Sequence, residues 1–257
     1  MAYTERDGTR IRYQITGMHN AGVPLMLSHG YAASSAMWDP NIAVLAAARP
    51  VITWDLRGHG RSGCPGDPGE YTHAACVADM AAVLDAAGIS RAVIGGLSVG
   101  GYLSLAFCLS HPRRVAALLL CDTGPGFRSD VARRRWNDRA LALADRLERN
   151  GLAALGDSPE VRAAEHHSAR GLALAARGML TQQDARVIEA LPSITVPTLI
   201  LAGADDRAYL AAADYLAAKI TGAVRAVIPG AGHACNLDQP EPFNRQVLAF
   251  LEQLDRR

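Results

Sequence analysis

Lysine is nearly absent from the chain: Lys219 stands alone among 26 basic residues, a bias that points to GC-rich coding rather than to function. Neither sign of charge is in excess. With 25 acidic residues the formal net charge is +1, so nothing suggests a nucleic-acid footprint or an acidic partner. Long apolar runs are missing too. No stretch nears the roughly 18 uninterrupted apolar residues of a membrane helix, and Met1–Gly17 lacks the apolar core of a secretory leader. The five cysteines (Cys64, Cys76, Cys108, Cys121 and Cys235) are odd in number and lack CxxC spacing. That argues against a disulfide framework or a zinc site and for a reducing compartment, so a cytoplasmic protein is expected.

What is present suits one globular domain. Of 257 residues, 49% are hydrophobic, enough for a sizeable core. Short apolar runs alternate with longer segments of helical period, the pattern of βαβ units around a mostly parallel open sheet flanked by helices. Strands are expected at 10–16, 24–28, 51–54, 91–96, 115–121, 198–202 and 224–228. Helices are expected at 71–87 and 102–109. A closing helix carries Phe243, Val247, Phe250, Leu251 and Leu254 on one face. Between Gly124 and Leu191 the strand pattern disappears, and Ala-, Leu- and Arg-rich stretches at 133–149 and 161–179 read as helices. A segment this long is not a loop. The expected organisation is a core of residues 1–123 and 192–257 with a helical cap at 124–191.

Gly96-Leu97-Ser98-Val99-Gly100 is a G-x-S-x-G pentapeptide between a strand and a helix. In that context the serine is an exposed nucleophile on a tight, strained turn, and small residues two positions either side let the turn close. The helix start behind it offers unpaired N–H groups to a developing oxyanion. A dinucleotide fingerprint fits the glycines poorly.

The order strand, His29-Gly30-Tyr31, then Asp55-Leu56-Arg57-Gly58-His59-Gly60-Arg61-Ser62, then the elbow, resembles the α/β-hydrolase superfamily over nearly the whole chain outside the cap. The resemblance implies that the backbone N–H groups of Tyr31 and Val99 form an oxyanion hole, and that His29 and His59 brace loops. In the superfamily's chain order the base comes last. His233, in Gly230-Ala231-Gly232-His233, follows the final strand and precedes the final helix. The acid lies between nucleophile and base, and the family offset from Gly203 selects Asp206, with Asp122 and Asp205 as alternatives. His166 and His167 read as surface residues of the cap helices.

These residues imply a serine hydrolase: His233, oriented by a carboxylate, takes the Ser98 proton during attack on an acyl carbon, with no metal or organic cofactor required. The expected partner is a small-molecule substrate, with neither nucleic acid nor membrane. The motif set is similar to the branch of 3-oxoadipate enol-lactonases and small carboxylesterases, implying an ester or lactone substrate. A non-hydrolytic small-molecule receptor, a triad-dependent lyase, a C–C bond hydrolase and a cofactor-free perhydrolase stay open as alternatives. Trp38, Phe127 and Trp136 are candidate pocket walls. Arg133, Arg134 and Arg135 read as a solvated helix face.

Overall fold

A computed structural model describes residues 1–256. The strands are β1 (Ala2–Arg6), β2 (Thr9–Thr16), β3 (Leu25–Ser28), β4 (Val51–Trp54), β5 (Ala92–Leu97), β6 (Val115–Cys121), β7 (Thr198–Gly203) and β8 (Val224–Ile228). They form one sheet in the order β1-β2-β4-β3-β5-β6-β7-β8. β1, β2 and β4 pair antiparallel, and every ladder from β4 to β8 is parallel. β1 was not anticipated from the sequence. It is an edge strand of alternating half-buried and exposed positions, without an apolar run to mark it.

The helices are α1 (Asp39–Leu45), α2 (His73–Ala86), α3 (Val99–Ser110), α4 (Asp130–Asn150), α5 (Pro159–Arg162), α6 (Ala169–Ala175), α7 (Arg186–Ala190), α8 (Arg207–Lys219), α9 (Cys235–Asp238) and α10 (Pro240–Asp255). Period-2 alternation along the buried strands feeds two cores. On β6, Leu118 and Leu120 face the core built with α2, α3 and α8, while Ala117, Leu119 and Cys121 face the one built with α1 and α10. Phe243, Val247, Phe250 and Leu251 all reach the second core from one face of α10. Burying each contributes about 1.5–3 kcal/mol before the entropy of ordering.

Trp38 belongs to this second core. A 3-10 turn at Ser35–Trp38 carries its fully buried ring to within 6.1 Å of Phe243, so the expectation that Trp38 lines a substrate pocket is corrected.

Between β6 and β7 the chain forms α4–α7 and no strand. α4 packs on α6 through a small separate core of Ala144, Leu147, Leu172, Ala173 and Ala176. The single helix expected at 161–179 is not formed. Residues 163–168 leave helical geometry, Ser168 then caps α6 by accepting from the Gly171 N–H, and a π-helical turn at Ala176–Leu180 ends the run.

Candidate active site

At the C-terminal end of β5 the chain turns into α3 through Ser98, whose φ of 56° and ψ of −119° are foreign to ordinary L-residues. Such a conformation costs on the order of 1–3 kcal/mol and persists only where neighbours enforce it. Here the Ser98 N–H donates to Cys121 O at 3.0 Å, and the Thr123 hydroxyl donates to Ser98 O at 2.6 Å. The flanking glycines let backbone approach backbone: a Cβ on Gly96 would lie 2.7 Å from Ser28 O, and one on Gly100 would press into the Ser28 and His29 carbonyls. Ser98 and Val99 line a cavity of about 270 Å³.

Asp206, buried at the start of α8, accepts the Nδ1–H of His233 at 2.7 Å. That bond leaves Nε2 as the lone-pair nitrogen of a neutral ring. Burial alone would lower the His233 pKa, but the Asp206 hydrogen bond and charge outweigh it and the pKa is raised. Asp205 is exposed. Asp122 instead accepts from the Gly203 N–H at 2.7 Å and from the Cys235 N–H at 3.4 Å, bracing the segments that carry Asp206 and His233. Burial pushes its carboxyl up to about 6.

Tyr31 follows Gly30, where a Cβ would lie 3.5 Å from the Ser98 Cβ, so the loop runs directly past Ser98. His29 and His59 are buried braces. The Leu56 N–H donates to His29 Nε2 at 3.0 Å, so Nδ1–H of His29 donates to Gly30 O at 2.7 Å. His59 donates from Nδ1 to Arg57 O at 3.1 Å. Burial pushes His29 down to about 4 and His59 well below the ordinary value.

His166 departs from expectation. It is half-buried and lies in the 163–168 loop rather than in a helix, with both ring nitrogens bonded to core backbone. His167 is exposed, as expected.

Phe127 and Trp136 line the cavity with Ser98, their rings 5.9 Å apart. The Trp136 Nε1–H donates to Leu180 O at 2.7 Å, which fixes the indole as a wall. Arg134 and Arg135 are exposed, and Arg133 pairs with Asp130 and donates to Phe127 O.

Most of the cavity lining is not marked in the sequence, Tyr209, His73 and Gln182 among it. Tyr209 joins Ser98 in the cavity lining while its ring stacks 4.8 Å from that of His233. It sits one helical turn beyond Asp206, a spacing that could have exposed it. His73 and Gln182 also line the cavity, and no local motif marks either. Among the described residues no cluster of three or more His, Cys, Asp or Glu is arranged to hold a metal ion.

The fold and this constellation define a hydrolase architecture, and comparison with known proteins agrees. The chain matches the alpha/beta hydrolase family over residues 25–246 and belongs to it. It is 30% identical to 3-oxoadipate enol-lactonase 1 of Acinetobacter baylyi, covering 98% of this chain and 96% of that one. A protein of Azorhizobium caulinodans provisionally named carbamate hydrolase RutD is 31% identical over the full length of both chains. An esterase from Thermogutta terrifontis superposes with a TM-score of 0.84 at 28% identity, covering 98% and 97% of the two chains.

Proposed function

We propose that the protein hydrolyses a carboxylic ester or lactone of a small molecule through an acyl-enzyme on Ser98. The observation that carries this reading is Ser98 itself, held in a strained backbone at the head of α3 and lining a cavity together with Tyr209, whose ring stacks on the His233 that pairs with Asp206. The esterase and enol-lactonase names among its relatives support an acyl substrate.

In the proposed cycle His233 Nε2 takes the hydroxyl proton as Ser98 Oγ bonds to the acyl carbon, and the carbonyl electrons move onto oxygen. The N–H groups of Tyr31 and Val99 stabilise that oxyanion; removing one such donor typically costs about 10²–10³ in kcat. Collapse breaks the bond to the leaving oxygen, which receives the proton from His233. Water, deprotonated by the same nitrogen, then frees the acid and restores Ser98. The helical segment 124–191 acts as the cap over the site, with Phe127 and Trp136 as substrate-facing walls.

The test is turnover of p-nitrophenyl butyrate by wild type and Ser98→Ala, with a fluorophosphonate probe mapped by mass spectrometry. A loss of about 10⁴–10⁶ in kcat and labelling at Ser98 are expected. Labelling elsewhere, or undiminished turnover in the variant, rejects the assignment.

A further inference from the structure

The turn that carries Tyr31 is held from outside. Gly30 O accepts from the Ala33 N–H at 3.2 Å, closing a four-residue turn whose third residue, Ala32, has φ of 57°. That left-handed conformation suits glycine and costs an alanine on the order of 1 kcal/mol, so the turn has a tendency to relax. Two groups from the β6–β7 insertion oppose this. The Gly60 N–H donates to His166 Nδ1 at 3.2 Å, which fixes the tautomer, and Nε2–H of His166 therefore donates to Ala32 O at 2.9 Å. Farther along the insertion, Leu172 O accepts the Tyr31 hydroxyl at 2.8 Å. The His166 ring also stands edge-on to His59, centroids 5.9 Å apart, and His59 in turn stands edge-on to Tyr31 at 5.3 Å.

We propose that His166 is a positioning residue for the oxyanion hole: by bonding Ala32 O and Gly60 N together it holds the strained turn in which the Tyr31 N–H faces the nucleophile. The inference rests on the serine-hydrolase reading above and adds that the insertion governs chemistry as well as substrate fit. Only a neutral imidazole can accept at Nδ1 while donating at Nε2. Burial lowers the His166 pKa and outweighs the charge of Asp55, which favours that form.

Three variants separate the bonds. His166→Phe keeps a ring against His59 and loses both hydrogen bonds. His166→Gln keeps a donor reaching towards Ala32 O, and His166→Asn keeps only an acceptor placed for the Gly60 N–H. With p-nitrophenyl butyrate we expect kcat to fall about 10–100-fold in the Phe and Asn variants, short of the loss for deleting a donor outright. His166→Gln should recover to within about fivefold of wild type, and KM should stay within about twofold in all three. Butylboronic acid forms a tetrahedral adduct whose oxygen needs the same donors, so its Ki should rise in step with the fall in kcat.

The inference is overturned by a His166→Phe kcat within twofold of wild type. It is equally overturned by a raised KM with an unchanged boronate Ki, or by a Gln variant no better than Asn. If the Phe variant does not fold, the Gln and Asn pair carries the comparison. Failure of the underlying reading looks different: wild type itself would neither turn over the ester nor label at Ser98.

Discussion

Three aspartates near the site separate by what surrounds them. Asp206 meets the ring of His233, Asp122 meets two backbone N–H groups, and Asp205 faces solvent. Asp206→Asn should therefore lower kcat by about 10²–10⁴, because an amide removes the charge that stabilises the imidazolium and can hold the wrong tautomer. Asp122→Asn should show mainly in stability: an amide NH₂ turned towards an N–H donor leaves a buried group unpaired, costing about 1–3 kcal/mol. Asp205→Asn should be near neutral in both. Measuring kcat and urea midpoints for the three variants side by side checks this, and a crippled kcat in Asp122→Asn alone would move the acid to β6. The same microenvironment sets the pH profile. With the His233 pKa raised, kcat/KM should fall as pH drops through a midpoint above 6.5, since the protonated ring cannot accept the serine proton. A profile flat from pH 5 to 8 would count against His233 as base. Ser98 and His233 stand out in the sequence as candidates because each sits in a short local context beyond a strand, whereas only the family offset from Gly203 separates Asp206 from Asp205. His73 and Gln182 do not stand out, because they reach the cavity from distant parts of the chain that only folding brings together, and Tyr209 is marked by nothing but its helical spacing from Asp206.

At the scale of elements, legibility followed the burial of each segment. β6, buried along nearly its whole length, reads as a continuous apolar run, and β4 as a short apolar run broken only by Thr53; the expected bounds of both are the observed ones. β1 went unseen because an edge strand has no such run. The 163–168 break went unseen for another reason: His166 is held by bonds to residues more than a hundred positions away in the chain, which local periodicity cannot register. Where α4 presents a side chain to the cavity, selectivity should respond. Trp136 is pinned through its indole N–H, so Trp136→Ala removes a fixed wall of the cavity. Across p-nitrophenyl esters of increasing acyl length, kcat/KM should shift towards longer chains, by no more than a few kcal/mol in total. An equal fall for every ester would show that Trp136 serves packing of the insertion alone.

For the molecule as a whole, four buried or half-buried histidines are expected to dominate the response to acid. His29, His59, His73 and His166 all have lowered pKa values, burial being the first cause in each, with His29 at about 4. A group whose folded pKa lies below its unfolded value binds protons more readily when unfolded. Its stabilisation is intact above the ordinary histidine value of about 6.5 and is lost as pH falls towards the folded value. For His29 alone that amounts to about 3 kcal/mol by pH 4. Three groups act in the opposite sense. Asp122, raised to about 6, and His233 and Asp39, also raised, bind protons more readily in the folded state and so favour it as pH falls. With His29 at about 4 and His59 well below the ordinary value, the lowered histidines are expected to prevail, and Asp55, whose carboxyl is lowered, adds its own loss only below the ordinary carboxylate range. The urea midpoint should accordingly drop between pH 7 and 4.5. His59 isolates the cause, since its Nε2 is buried without a partner and its ring makes a single hydrogen bond, through Nδ1. His59→Phe removes the proton uptake while keeping an aromatic ring in place, so its midpoint should fall less steeply over that range even if it starts lower at pH 7. An identical pH slope in variant and wild type would assign the acid sensitivity to groups other than His59.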